Sequence, residues 1–406
     1  MEVMLALGPS VCERIDIPKS RNIPLAGKDA DLYNERVCSF FAQRGFPVTP
    51  LPDAASPPAA PRLARPRRLA RKLTARELVS KRMVTVGVIG VGALGQHHAR
   101  LYAGLPGVRL VGVCDLRREV GQAVADRYGV AYFADWQDLA AQVMAVSVAV
   151  PTCDHCALSV ALLAQGKHVL VEKPIAVTLE EADEMIAAAG QAGVILQVGH
   201  LERFNPALQA AQALVRQPRF FEIDRLSVFT PRSLDIDVVA DVMIHDLDLL
   251  RWMVDAPVDT IHAVGVPALT EKIDIASARI EFANGCVANV TASRVSLDKV
   301  RKLRCFHAGG YVSVDCLTQQ VTALEVARSH VASAPPAIVP RAVTVTPDEP
   351  LRAELEHFIT CIRQGRQPLV DGRAGQAALE LALQVRAEIT AHARRAGLGH
   401  WVDVPT

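Results

Sequence analysis

Residues 84–115 read VTVGVIGVGALGQHHARLYAGLPGVRLVGVCD. An apolar, β-rich run gives way to Gly90, Gly92 and Gly95, then to a helical segment, then to a second apolar run ending in Asp115. The glycines differ in what they allow. Gly90 permits a tight turn after the strand, Gly92 lets backbone approach a pyrophosphate, and Gly95 lets helix and strand pack closely. The helix that opens beyond Ala93 and Leu94 offers free N–H groups to phosphates. Asp115 stands 25 positions after Gly90, at the end of the second strand, where an acid accepts hydrogen bonds from an adenosine ribose. Together these features predict a βαβ unit of a doubly wound parallel sheet that binds a dinucleotide. The Asp115 carboxylate repels a 2′-phosphate and so favours NAD over NADP, although Arg117 and Arg118 follow it and could complement such a phosphate.

Further βα units lie downstream. AVSVAV (145–150) ends at Pro151 and Thr152, and KHVLVEKP (167–174) runs through Glu172 and Lys173 into Pro174. Ligands of open parallel sheets bind at the carboxyl ends of strands, so Pro151, Thr152 and Lys173 are expected beside the nicotinamide. Farther on, DVMIHDLDLL (241–250) sets Asp241 four positions before His245 in an otherwise apolar run. On a helix these two share a face, and the carboxylate is expected to reach the ring. The bland alternative is an N-cap acid beside a satisfied core histidine.

The stretches GVGALGQHHARLY, GKHVLVEKPIAVTLEEADEMI and DVMIHDLDLL resemble the glucose–fructose oxidoreductase, inositol dehydrogenase and MocA (Gfo/Idh/MocA) family, from about Val84 to near Glu388. The resemblance implies an NAD-dependent dehydrogenase acting on CH–OH groups. Its fold would be an N-terminal Rossmann domain followed by an α+β domain with a large, mostly antiparallel open sheet, often used for homo-oligomerisation. It implies a catalytic Lys173, Asp241 and His245, and it places His155 in the loop after the fourth strand. In that reading a neutral His245 accepts the hydroxyl proton, Asp241 fixes the ring, and Lys173 stabilises charge on the oxygen. The family often carries paired glycines before the acid, whereas DIDVVAD has none, which points to a differently shaped substrate loop.

GHLERFNP (199–206), with MIHDLDLL and SRVSLDKVRKLRCF, resembles the branch containing UDP-N-acetylglucosamine 3-dehydrogenases encoded with lipid A enzymes. That implies oxidation of a UDP-amino sugar at C3 for a partner aminotransferase. Arg203 and Asn205 fall at the junction of the domains, where Arg203 would hold a phosphate or carboxylate, or else form a hinge salt bridge. Alternatives are a free sugar or inositol as substrate, an imine or tetrapyrrole-type reductase that does not use His245 as a base, or a non-catalytic NAD-binding scaffold.

Beyond position 206, alternating β-rich runs predict strands, with Asn284-Gly285 as a two-residue hairpin turn, and residues 351–396 return to helical period. The expected domains are 83–203 for the dinucleotide and 204–396 for substrate and oligomerisation, with a tail over 397–406. Residues 61–82 carry nine Lys or Arg against one Glu, and the Pro/Ala-rich PLPDAASPPAAP precedes them. Residues 1–82 therefore read as a basic, poorly ordered appendage or an upstream extension of the reading frame, since Met83 directly precedes the first strand. The CDHC at 153–156 lacks a second ligand pair, so no metal is expected, and His97 and His98 read as surface or packing residues. Nine scattered cysteines, no apolar run of membrane length and no signal pattern point to a cytoplasmic protein without nucleic-acid partners.

A chain beginning at Met83 should fold, bind NAD and turn over like the full chain. Calorimetry and steady-state rates on the two forms would check this, and loss of either property would assign residues 1–82 a structural role.

Overall fold

A computed structural model describes residues 83–230, 236–327 and 337–399. The basic segment and the last residues of the predicted tail lie outside them. The first half alternates β1 (Val84–Ile89), α1 (Gly95–Gly104), β2 (Val108–Cys114), α2 (Arg118–Tyr128), β3 (Ala131–Phe133), α3 (Trp136–Ala140), β4 (Ala145–Val148), α4 (His155–Ala164), β5 (His168–Glu172), α5 (Leu179–Ala192) and β6 (Leu196–Gly199). The strands form one parallel sheet in the order β3-β2-β1-β4-β5-β6, with the switch point between β1 and β4. Helices cover both faces, which is why β1, β4, β5 and β6 read as continuous apolar runs and are almost wholly buried.

Local chemistry sets the turn that follows Lys173. Thr178 caps α5 by accepting from the Glu181 N–H at 3.2 Å, and the Glu181 carboxylate accepts from the N–H groups of Val177 and Thr178. This reciprocal capping holds the chain as it leaves the end of β5.

The second half contains α6 (Pro206–Leu214), β7 (Pro218–Leu226), a π-helical turn (Val239–Met243) running into α7 (Ile244–Met253), seven further strands, α8 (Pro350–Gln364) and α9 (Gly372–Arg395). The strands are β8 (Val258–Val266), β9 (Ile275–Phe282), β10 (Val287–Ser293), β11 (Val300–His307), β12 (Gly310–Asp315), β13 (Gln320–Ala327) and β14 (Ala337–Arg341). With β7 they form a sheet in the order β14-β13-β12-β11-β7-β10-β9-β8, antiparallel except for β7 against β10. Its inner face packs Phe221, Ile223, Ile280, Val290 and Leu303 against α6, α7 and α9.

Two details differ from the sequence reading. Phe282 N–H donates to the Cys286 carbonyl, so Ala283, Asn284 and Gly285 make a three-residue loop with only Gly285 at positive φ. A two-residue type I′ turn needs both central residues there, and Asn284 instead accepts from the Cys286 N–H. Also, α8 lies in the stretch expected for the second domain, yet Leu355, Phe358 and Ile359 complete the core under β1 and α1.

Buried ion pairs join the two halves. Arg225 on β7 donates to both oxygens of Asp246 on α7 at 2.8–3.0 Å and to Glu202, in the turn after β6, at 2.8 Å. Asn205 caps α6 and donates to the Cys316 carbonyl. Because all three ionic groups are buried, removing one strands the others. Arg225→Leu should cost about 3–5 kcal/mol in urea unfolding; a loss well below 1 kcal/mol would show that water reaches the acids.

Candidate active site

Four strand ends of the parallel sheet meet at the site: the glycine loop after β1, Pro151 and Thr152 after β4, Lys173 after β5 and His200 after β6. The glycines sit as their spacing predicts. Gly90 has φ +80°, and a Cβ on Gly95 would lie 1.8 Å from the Gly90 carbonyl oxygen, so helix and turn touch through backbone. A Cβ on Gly92 would meet only the Arg117 guanidinium, at 3.4 Å, which leaves a cradle in front of α1. That helix starts at Leu94 and Gly95 without a side-chain cap or an acid in its first turn, so its N–H groups suit a pyrophosphate. Asp115 accepts from Val91 N–H and from Arg117 N–H, both at 2.9 Å, and so ties the glycine loop to the end of β2.

Lys173 reaches across to the second domain. Its Nζ donates to the Asp241 carbonyl at 2.7 Å and to Asp241 Oδ1 at 3.0 Å. An ammonium has three donors, so one is left for a substrate oxygen. The expected Asp241–His245 hydrogen bond is absent: the carboxylate goes to Lys173. Asp241 lies in the π-helical turn, whose wider winding breaks the α-helical i, i+4 register on which that pair rested.

His245 begins α7 beside this ion pair. Its Nδ1 is enclosed and has no partner, which leaves Nε2 as the nitrogen facing outward. Burial, then the charges of Lys173, Arg225, His200 and Arg301, hold its pKa well below the usual imidazole value. The ring is therefore neutral near pH 7, as a base must be.

Other assigned residues turn out to be structural. His155 is buried with its ring nitrogens 2.9 and 3.0 Å from the Pro174 and Val150 carbonyls, so it clamps the ends of β4 and β5 together and offers a cofactor no polar atom. Glu172 faces His98 at 2.9 Å, and despite the burial that would raise its pKa, the His98 hydrogen bond with the His98 and Lys173 charges keeps it low. Arg203 grips Asp248 bidentately at 2.6 and 2.8 Å, bonds the Leu369 carbonyl, lies over Trp252 and is 5% exposed. Of the two roles open to it, the geometry gives the hinge salt bridge and overturns the phosphate contact. Asn205, 2% exposed and engaged by Glu202, Cys316 and Ala207, is likewise a joint and not a substrate ligand. Among the described residues no cluster has metal-binding composition, and Cys153 is exposed while Cys156 is buried.

Residues 84–200 match the family model described as "Oxidoreductase family, NAD-binding Rossmann fold", and residues 207–309 match the GFO/IDH/MocA C-terminal domain. The chain belongs to the Gfo/Idh/MocA oxidoreductases. It is 41% identical over 305 residues to the UDP-N-acetylglucosamine 3-dehydrogenase of Acidithiobacillus ferrooxidans, covering 74% of this chain and 96% of that protein. It is 27% identical to the NAD-dependent scyllo-inositol 2-dehydrogenase of Bacillus subtilis, over 68% and 85% of the respective chains. A solved structure of the Acidithiobacillus enzyme superposes with a TM-score of 0.71, covering 76% of this chain and 98% of that one. The chain is thus an NAD-binding dehydrogenase, and no helix among the described residues is long and apolar enough to cross a membrane.

His98, read as a surface or packing residue, is buried against Glu172, whereas sequence reading missed His200 and Arg225, whose partners lie far away in the chain. Only the position of His200 directly after a strand end carried a signal.

His245 ring resonances should stay in the neutral form to well below pH 6.5. Lys173→Met removes a cation that disfavours the imidazolium, so it should move the titration upward in NMR. An unchanged or lower midpoint in that variant would separate Lys173 from His245.

Proposed function

We propose that the enzyme oxidises a sugar-type secondary alcohol with NAD, and that the substrate is UDP-N-acetylglucosamine, oxidised at C3. The support for this substrate is the 41% identity to the Acidithiobacillus enzyme over nearly its whole length; the chemistry rests on Lys173 and Asp241 beside a neutral His245. The glycine loop would hold the pyrophosphate of the dinucleotide, and the cofactor would supply the hydride acceptor beside Lys173. On the protein side, His245 Nε2 takes the hydroxyl proton, and the spare Lys173 donor stabilises negative charge developing on the oxygen. Asp241 acts through Lys173, by holding its ammonium in place. The product is a ketone, which suits an aminotransferase partner.

With Arg203 committed to Asp248, the cation we assign to the diphosphate is Arg301. Its side chain is one-third exposed, its Nε has no partner, its hold on Glu202 is long at 3.5 Å, and it is close enough to depress the His245 pKa. Oligomerisation we place on the outer face of the eight-stranded sheet, where Phe220, Phe306 and Tyr311 stack and Phe306 is 42% exposed.

Wild-type enzyme with NAD and UDP-N-acetylglucosamine should form NADH when an amine or aminotransferase traps the ketone. Lys173→Ala and His245→Ala should each lower turnover about 10²-fold or more with NAD affinity nearly unchanged, and Arg301→Met should raise KM for the nucleotide sugar. Activity confined to free inositols or hexoses would overturn the nucleotide-sugar assignment, and full activity in His245→Ala would remove the base.

A further inference from the structure

Resting on His245 as the base, we infer that His200 is the positioning residue that sets the tautomer of His245. If Nε2 is to accept a proton, the neutral ring must carry its own proton on Nδ1, and that N–H needs an acceptor. Nδ1 is enclosed and has no partner. The carboxylate that local spacing would supply, Asp241, is bonded to Lys173, while Asp246 and Asp248 on the same helix are held by Arg225 and Arg203.

His200 supplies the missing group. It follows the last strand of the parallel sheet, is fully buried, and meets His245 edge to face with ring centroids 6.3 Å apart. Both of its nitrogens lack partners, so an unsatisfied acceptor and an unsatisfied donor stand side by side across the domain boundary. Imidazole nitrogens bond directly at about 3 Å, and with centroids 6.3 Å apart these rings stand too far for that, at a separation that one bridging water spans. Burial, with the charges of Arg203 and Lys173, keeps the His200 pKa below the usual imidazole value against the pull of Asp248 and Glu172, so its acceptor lone pair is retained. Because each ring comes from a different domain, the base is set only when the two are docked.

The test uses the full chain with NAD and compares wild type, His200→Phe and His200→Gln. Two-bond ¹⁵N–¹H spectra, with His245 assigned by its loss in His245→Ala, should show one Nδ1–H tautomer in wild type and a mixture in His200→Phe. With UDP-N-acetylglucosamine as probe, kcat in His200→Phe should fall about tenfold or more while KM and NAD affinity stay nearly unchanged. Glutamine, whose amide oxygen accepts, should restore both the tautomer and most of the rate. An unaltered His245 tautomer and rate in His200→Phe would reduce His200 to packing. If His245→Ala kept the wild-type rate, the base reading would fail, and the tautomer spectra would still decide whether His200 governs the ring. Should His200→Phe not fold, His200→Leu, which fills the space without an acceptor, takes its place in both measurements.

Discussion

The ion pair between Lys173 and Asp241 is the interaction on which the site depends, because it is the contact through which a strand end of the dinucleotide domain meets the helical entry to the substrate domain. Lys173 is 10% and Asp241 27% exposed in their side chains, so the pair is screened less than a surface bridge and is still open to a ligand. With two ammonium donors fixed on Asp241, the third is aimed without further ordering. With burial as the larger cause, the same ammonium also lowers the basicity of His245, so the ion pair and the imidazole are electrostatically linked.

That arrangement needs α7 held to the parallel sheet, and the buried acids of DVMIHDLDLL do this. Asp246 and Asp248 follow His245 on α7 and are gripped by Arg225 and Arg203, which come from β7 and from the turn after β6. A buried ion pair is weak evidence of net stability but a strong constraint on register, since either partner alone is costly. In this molecule the constraint orients the face of α7 that carries His245. Glu354, fully buried on α8, is driven toward its neutral form by burial and by the Glu172 and Asp248 charges.

The glycine loop, the doubly wound parallel sheet, the position of Lys173 and the helical setting of His245 were legible because each rests on neighbours in the chain: turn geometry, helix periodicity and strand ends. The resemblance of EKP and DVMIHDLDLL to one family extended that reading to the antiparallel sheet. Local spacing fell short in two places. Asp241 was expected to serve His245 by helical spacing, but the π-helical turn and Lys173, 68 positions away, redirected it. Arg203 was open to a phosphate contact or a hinge salt bridge until its partner Asp248 was in view.

The amino-acid sequence by itself determined the dinucleotide cradle, since only glycine fits at Gly95, where a Cβ would lie 1.8 Å from a carbonyl oxygen, and suits the φ of +80° at Gly90. It determined as well which residue types reach the sheet's carboxyl edge. Tertiary structure alone decided the partners of the charged and imidazole groups: Lys173 with Asp241, Arg203 with Asp248, Arg225 with Asp246 and Glu202, His200 against His245. A buried charge takes whichever opposite charge or acceptor packing brings within about 3 Å, and that distance follows from how two sheets and their helices dock, which no local spacing encodes.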